Sequence, residues 1–134
     1  MRGLFGLLAF IMMSGCASFP PACMPPAQAM VTAEMYFGRN IGDRLGVSDA
    51  AFADFAVREI TPRFPQGLTV VDARGQWRDT DRGHVVREPS KVVLLTFTDS
   101  AEARASLVAI AEAYKSRFRQ QAVMTTVRPG CATF

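Results

Sequence analysis

The sequence predicts an α+β fold with a four-stranded antiparallel sheet and two helices. Residue patterns typical of strands occur in four segments, and apolar residues at helical spacing occur in two segments between them. The order along the chain is therefore β-α-β-β-α-β. Two β-α-β units joined by a hairpin form the ferredoxin-like plait, with sheet order 4-1-3-2 and both helices on one face. The 134 residues, of which 49% are apolar, suffice for one such domain.

The first 15 residues have the features of a signal peptide. Arg2 gives a positive start, and an apolar stretch over residues 3–13 follows it. A helix of that length spans about half of a bilayer core, so it is a signal sequence rather than a spanning helix. Residues 13–16 read Met-Ser-Gly-Cys and resemble the lipobox of bacterial lipoproteins, which implies that Cys16 is lipidated. The alternative is an ordinary secretory signal cleaved near Ala17.

The lipobox resemblance also implies a location. Acyl chains on Cys16 would hold the mature chain firmly at a membrane. Ala17 follows the lipidated cysteine, and in this class a residue other than Asp there favours the periplasmic side of the outer membrane over the inner membrane. Residues 16–29 contain four prolines and no charge, so they are expected to form an extended tether. One domain then covers residues 30–134.

The first half of the domain contains one strand and one helix. Residues 30–37 alternate as a half-buried strand does, and a glycine-rich loop over 38–46 follows. Ser48 is a suitable N-cap for the first helix, with Asp49 in its first turn. Apolar residues then recur on one helical face until Pro62 ends the helix.

A hairpin is expected next. The second strand covers residues 68–77, with a bulge at Gly75, and residues 80–83 form a turn. The third strand is strongest over residues 91–98, and Pro89 is expected to break or bulge its first half.

The second helix has the clearest pattern in the chain. Asp99 and Glu102 are expected to cap its N-terminus as a pair. Its apolar stripe consists of Ala103, Leu107, Ile110, Tyr114 and Phe118. The last strand covers residues 122–127, with an extension past Pro129 towards the C-terminus as the alternative.

The cysteines provide a test of this topology. Once Cys16 is lipidated, Cys23 and Cys131 remain, which is an even pair in an oxidising compartment. In the predicted plait the fourth strand runs antiparallel to the first, so its end lies beside the beginning of the first strand. We therefore expect a disulfide between Cys23 and Cys131 that fastens the tether to the domain. Two free thiols are the alternative.

Several short motifs resemble a family of bacterial exported proteins. They are Phe37-Gly38-Arg39, Thr61-Pro62-Arg63-Phe64-Pro65, Gly67-Leu68-Thr69-Val70, Gly75-Gln76-Trp77 and Arg87-Glu88-Pro89-Ser90-Lys91. The family is catalogued as domain of unknown function 3574, and the resemblance runs from about Met30 to the last strand. It implies a single compact domain and no particular activity.

Basic residues are expected to gather where the first strand ends, at the opposite end of the domain from the anchor. Guanidinium groups bind carboxylate and phosphate in a bidentate manner, and a tryptophan can stack on a ring. The candidate ligand-binding residues are Arg39, Arg74, Gln76, Trp77, Arg87 and Lys91. The alternative is a solvated, arginine-rich surface interspersed with acidic residues.

No catalytic residue is assigned, but the sequence contains three candidates for acid–base chemistry. Glu34 and Tyr36 lie on the sheet face predicted to be free of helices, where a carboxylate beside a phenol can take part in acid–base chemistry. The alternative for Glu34 is a cross-strand ion pair with Arg128 or Lys91. His84, the single histidine, lies near the hairpin turn.

Several functional classes are disfavoured by composition. The net charge of +3 comes from 15 basic and 12 acidic residues without a basic arm, which disfavours nucleic-acid binding. One histidine and three cysteines without paired spacing disfavour a metal site. The sequence contains neither a phosphate-binding loop nor a dinucleotide fingerprint, so no cofactor is expected.

The sequence therefore predicts a lipid-anchored periplasmic protein with a non-catalytic binding domain. Its partner would be another protein, a second copy bound through the open sheet face, or a small anionic ligand. One alternative is a small cofactor-independent enzyme of the dimeric α+β-barrel type, acting on a small organic substrate. Another is a purely structural component of the envelope.

Overall fold

A computed structural model describes residues 22–134 of the chain. The predicted signal peptide, Cys16 and the first part of the tether lie outside these residues. The elements are β1 (Gln28–Gly38), β2 (Asn40–Ile41), β3 (Arg44–Leu45), α1 (Asp49–Phe55), β4 (Thr69–Asp79), β5 (His84–Phe97), α2 (Ala101–Phe118) and β6 (Met124–Ala132). Among these residues, no helix combines the length and the apolar character needed to cross a membrane.

The four long strands form one antiparallel sheet in the order β4-β5-β1-β6, and β2 and β3 form a separate two-stranded hairpin. The predicted α+β fold with a four-stranded antiparallel sheet and two helices is confirmed. The predicted order of 4-1-3-2 numbered four strands, whereas the described residues contain six. The two additional strands form the β2–β3 hairpin, in a segment that was predicted to be a loop. Among the four long strands, the first lies between the third and the fourth.

The core lies between one face of the sheet and both helices. Every second side chain of β1, from Val31 to Phe37, is buried. The ring of Phe37 packs edge-on against Phe52 and Phe55 of α1, at centroid distances of 5.5 and 6.1 Å, and against Tyr114 of α2 at 4.8 Å. Both helices therefore cover the same face, and the alternate residues of β1 form the opposite, open face.

The first helix begins as the sequence predicts. The hydroxyl of Ser48 accepts a hydrogen bond from the N–H of Ala51 at 3.1 Å, which satisfies one free donor of the first turn. After Phe55 the helix widens into a π-helical segment, Ala56–Ile60, which ends just before Pro62.

The N-cap of α2 differs from the predicted one. Ser100 caps the helix, because its hydroxyl accepts a hydrogen bond from the N–H of Ala103 at 3.0 Å. The predicted capping pair of Asp99 and Glu102 is wrong, since the Asp99 carboxylate is held by the guanidinium of Arg104 at 2.6 Å.

The expected irregularities of the hairpin are also absent from the described strands. Gly75 lies opposite Glu88 in an unbroken ladder, so no bulge forms there. Pro89 stays within β5, and its carbonyl accepts the N–H of Arg39 at 3.1 Å. The missing N–H of Pro89 leaves the Arg39 carbonyl without its usual strand partner. That carbonyl accepts instead from Gly46 and Val47, at 2.9 and 3.0 Å, so the proline is accommodated without a break.

The expected disulfide between Cys23 and Cys131 is confirmed. Cys131 lies in β6 opposite Ala29, near the beginning of β1. The bond therefore fastens the segment before β1 to the edge strand β6 and joins residues that are 108 positions apart.

Candidate ligand-binding pocket

A pocket of about 490 Å³ lies on the open face of the sheet, at the end where β1 finishes. This volume is within the range of small-molecule sites. Three parts of the chain enclose it: the end of β1 with the loop that follows, the outer half of the β4–β5 hairpin, and the connection between α2 and β6. Aromatic and aliphatic side chains supply much of its wall, including Tyr36, Trp77, Val86, Val92 and Met124.

The register of the strands explains this wall. Tyr36 in β1 lies opposite Val92 in β5 and Met124 in β6, so these three side chains share the open face. Pairing between β1 and β5 ends at Gly38, whereas pairing between β4 and β5 continues as far as Asp79. The outer hairpin therefore projects beyond β1 and contributes Trp77 to the pocket.

The carboxylate of Glu88 forms the polar centre of the pocket. Its Oε1 accepts a hydrogen bond from the indole N–H of Trp77 at 2.9 Å, and its Oε2 accepts one from the backbone N–H of Asn40 at 3.1 Å. The side chain is half-buried. Within residues 22–134, no basic group lies within 4.0 Å of this carboxylate, so its charge is met by neutral donors alone.

Two hydrogen bonds from the second helix and its end hold the base of the pocket. The hydroxyl of Tyr114 donates to the carbonyl of Gly38 at 2.8 Å, and the side-chain amide of Gln120 donates to the carbonyl of Asn40 at 2.7 Å. Burial raises the pKa of Tyr114, so this phenol remains a donor at neutral pH. The end of β1 is thereby fixed relative to α2.

Three arginines border the pocket, and they differ in their surroundings. Arg82 pairs with Asp43 at 2.9 Å and with the nearly buried Asp79 at 3.7 Å. Arg74 and Arg119 are exposed and form no ion pair with any described residue. The guanidinium of Arg119 is therefore available to an anionic group at the mouth of the pocket, whereas the strand register places Arg74 on the face that carries Asp72 and Lys91.

A second, more open recess of about 780 Å³ lies on the other side of the β4–β5 hairpin. Its charges are largely neutralised by one another. The nearly buried ammonium of Lys91 contacts Asp49 at 2.6 Å and also contacts Asp72. Arg39, which is also nearly buried, donates to the carbonyl of Val47 at 2.8 Å and contacts Asp49 at 3.2 Å.

These pairs shift the ionisation of their members. The hydrogen bond from Lys91, reinforced by the nearby Arg39, holds the pKa of Asp49 below its usual value. The hydrogen bonds to Asp49 and Asp72 raise the pKa of Lys91. Asp49 and Lys91 are therefore both charged at neutral pH and form an ion pair with each other.

The structure divides five of the six predicted ligand-binding residues between the two recesses. Trp77 lines the pocket on the open face, Arg39 and Arg87 line the second recess, and Arg74 and Gln76 border both. Lys91 lies opposite Phe37 on the helix-covered side, in its ion pairs with the two aspartates.

Of the three catalytic candidates, Tyr36 lines the pocket. Its hydroxyl donates to Glu34 at 2.5 Å, and this hydrogen bond is the main reason why the pKa of Tyr36 is raised. The alternative for Glu34, an ion pair with Arg128 or Lys91, is not formed among the described residues. His84 is exposed at the start of β5 and does not border the pocket.

Sequence reasoning missed the central residues of the pocket, Gly38, Asn40 and Glu88. Two of them nevertheless lie in motifs that resemble the known family, Phe37-Gly38-Arg39 and Arg87-Glu88-Pro89-Ser90-Lys91. These motifs meet the third, Gly75-Gln76-Trp77, at the Glu88 carboxylate. The convergence of the motifs was the signal that could have located the site.

Comparisons with known proteins agree with this fold. The family described as "Protein of unknown function (DUF3574)" matches residues 32–134. A phage SAM lyase in complex with S-methyl-5'-thioadenosine has a similar structure, with 17% identity and a TM-score of 0.64, over 78% of this chain and 90% of the lyase. In the apo state the lyase gives 18% identity and a TM-score of 0.58, over 78% and 89% of the two chains. CutA from Synechococcus elongatus PCC7942 has 10% identity and a TM-score of 0.51, over 78% of this chain and 80% of CutA.

None of the curated proteins is significantly similar to the chain in sequence. At these identities the likeness to the lyase and to CutA concerns the fold alone.

Proposed function

The chain belongs to the DUF3574 family of proteins of unknown function, and we propose that it is an exported, lipid-anchored domain that binds a small ligand without catalysis. The ligand would occupy the pocket on the open face, between Tyr36, Trp77 and Glu88.

The composition of the pocket wall is the observation that carries this proposal. Small-molecule sites combine apolar and aromatic walls with a few fixed polar groups. Here the walls come from residues such as Tyr36, Val92 and Met124, and Glu88 is held in place by Trp77 and Asn40. Trp77 is 40% exposed, so part of a large aromatic surface remains open to a ligand.

The same geometry favours binding over catalysis. A general base must be able to accept a proton at the working pH. The phenol of Tyr36 has a raised pKa and already donates its proton to Glu34. It can therefore position a ligand by contact, but it is a poor base.

The position of the disulfide supports a pocket that faces away from the membrane. Seven positions separate Cys16 from Cys23, which is a reach of at most about 25 Å. Ala29, which lies opposite Cys131, is nine positions before Gly38, or about 30 Å along β1. With lipid on Cys16, the disulfide end would lie near the bilayer and the pocket would open towards the periplasm.

The anchor is tested by labelling cells with palmitate. The wild-type chain should take up label and fractionate with the outer membrane, whereas Cys16→Ser should lose both properties. Cys23→Ser is the matched control and should remain labelled. Label that persists in Cys16→Ser would overturn the lipid anchor.

Ligand binding is tested with the chain's own fluorescence, because Trp77 is its single tryptophan. Small aromatic molecules should change the emission of the full chain, purified from membranes in mild detergent. Ala122→Leu adds bulk to the pocket wall and should weaken every such response, whereas Ala105→Leu on the exposed side of α2 should not. Equal responses in the two variants would contradict the proposal.

A second candidate is a small cofactor-independent enzyme of the dimeric α+β-barrel type. The short hydrogen bond between Tyr36 and Glu34 at the pocket is the observation that favours it. Such an enzyme would pair the open sheet faces of two copies. Sedimentation analysis that shows a dimer, together with turnover that is lost in Glu34→Gln, would favour this function over simple binding.

A further inference from the structure

We infer that the pocket selects a positively charged ligand, an organic ammonium ion whose charge lies against Glu88 and whose apolar body lies against Trp77 and Tyr36. This inference rests on the proposed function, that the pocket binds a small ligand. It adds the sign of the ligand's charge and the residue that recognises it.

The charge of Glu88 is the first step of the argument. The other two acidic residues that line the pocket, Asp43 and Asp79, share the guanidinium of Arg82. Glu88 has no basic partner within residues 22–134. The preceding 21 residues contain a single basic residue, Arg2, in the predicted signal peptide. A half-buried carboxylate without a counterion is costly, and a bound cation would relieve that cost.

The carboxylate also has unused hydrogen-bonding capacity. An ionised carboxylate offers about four acceptor sites. Trp77 and Asn40 occupy one site on each oxygen of Glu88. Gly38 lets the carboxylate approach the end of β1, because a Cβ at this position would lie 2.6 Å from Oε1. An ammonium group of a ligand can therefore donate to the remaining sites.

The aromatic walls favour the same class of ligand. Cations are attracted to the faces of Trp and Tyr rings. The hydrogen bond from the indole N–H to Glu88 fixes the Trp77 ring beside the carboxylate. Tyr36 lines the same pocket with its hydroxyl held by Glu34. Because the N–H edge of Trp77 points at Glu88, an ammonium bound there would lie beside the indole ring, and the apolar body of the ligand would contact the ring faces.

The arginines do not reverse this preference. Arg74 and Arg119 are exposed, so water and salt screen their charges, whereas Glu88 is half-buried. Arg39 and Lys91, which the sequence favoured for binding an anion, form ion pairs with Asp49 and Asp72 on the other side of the sheet. Arg119 would instead meet an anionic group at the far end of a zwitterionic ligand.

The test compares three probes that share a phenyl ring and a two-carbon chain but differ in charge: phenethylamine, 2-phenylethanol and phenylacetate. The full chain is purified in mild detergent, and Trp77 emission is followed at fixed ionic strength. We expect the amine to bind about tenfold more tightly than the alcohol, and phenylacetate to bind most weakly. Glu88→Gln should remove the preference, and the exposed Glu102→Gln should keep it.

Gly38→Ala is a second variant that should also abolish the preference, because its Cβ would displace the Glu88 carboxylate. If the alcohol or phenylacetate binds wild type as tightly as the amine, or if the preference survives in Glu88→Gln, the cation inference is overturned while ligand binding in the pocket stands. If none of the three probes binds, both this inference and the proposed function fail.

Discussion

Gly38 of β1 and the side chain of Glu88 on β5 are in closer contact than any other residue at position 38 would allow. A Cβ on Gly38 would lie 2.6 to 2.8 Å from the carboxylate atoms of Glu88. The absent side chain lets the carboxylate approach the end of β1, where it accepts from the N–H of Asn40 and from Trp77. The pocket therefore depends on a glycine for space rather than for an unusual backbone conformation.

Gly38→Ala should push Glu88 out of this position. The variant would lose two hydrogen bonds to a charged acceptor, so we expect the free energy of unfolding to fall by about 1–3 kcal/mol. Trp77 would also lose its acceptor, and its emission should move to longer wavelength as the ring becomes more hydrated. Urea unfolding and fluorescence emission of the full chain measure both effects.

Gly130→Ala is the matched control for this prediction. Gly130 lies in β6, and apart from its own backbone and its chain neighbours no atom of residues 22–134 lies within 4 Å of the position that its Cβ would take. Its unfolding and Trp77 emission should stay close to those of wild type. A Gly38→Ala protein with unchanged emission would show that Glu88 does not depend on the empty position.

Loss of the Cys23–Cys131 disulfide should destabilise the domain substantially. The bond joins residues 108 positions apart, so its removal releases a long loop in the unfolded chain. We expect Cys23→Ser with Cys131→Ser to lower the free energy of unfolding by about 2–5 kcal/mol. A reducing agent should shift the denaturant midpoint of wild type but not that of the double variant. Equal midpoints for oxidised and reduced wild type would contradict this expectation.

The ion pairs of Lys91 should respond asymmetrically to mutation. Lys91→Met leaves Asp49 with Arg39 alone and Asp72 without an ion-pair partner among the described residues, but their side chains are 75% and 81% exposed and can be hydrated. The double variant Asp49→Asn with Asp72→Asn leaves a nearly buried ammonium unpaired, which is the costlier situation. Urea unfolding at neutral pH should therefore give a lower midpoint for the double variant than for Lys91→Met. The reverse order would refute this account of the cluster.

The same cluster gives a pH dependence with a defined sign. The hydrogen bond from Lys91 holds the pKa of Asp49 below its usual value in the folded state. A carboxyl of this kind stabilises the fold above its unfolded pKa and loses that contribution as the pH falls through its folded pKa. The difference in stability between wild type and Lys91→Met should thus be constant near neutral pH and shrink in strongly acidic solution. A difference that grows on acidification would be inconsistent with the ion pair.

Local patterns predicted the fold well because they reflect burial along single elements. The alternation of buried and half-buried residues in β1 repeats over several residue pairs, and the apolar stripe of α2 repeats over several helical turns. The β2–β3 hairpin could not be found in this way, since strands of two residues carry no periodicity.

The site was less predictable because it depends on contacts between distant segments. Arg39 and Lys91 were expected to bind a ligand, yet Asp49 and Asp72 neutralise them from other elements. The role of Glu88 could not be predicted for the opposite reason. Its lack of a basic partner within the described part of the chain becomes visible only when the register of neighbouring strands is known.

The titration of Tyr36 provides a direct measure of its bond to Glu34. The chain has two tyrosines, Tyr36 and Tyr114, and both have raised pKa values, from the hydrogen bond to Glu34 and from burial respectively. Glu34→Gln removes the negative charge that opposes ionisation of Tyr36, so its pKa should fall towards the ordinary value of about 10. Carbon-13 labelling of the tyrosine rings allows both pKa values to be followed by NMR, with Tyr36→Phe assigning the signals. The exposed Glu112→Gln is the control and should leave both titrations unchanged. If the Tyr36 titration is the same in Glu34→Gln as in wild type, the phenol is not bound to that carboxylate in solution.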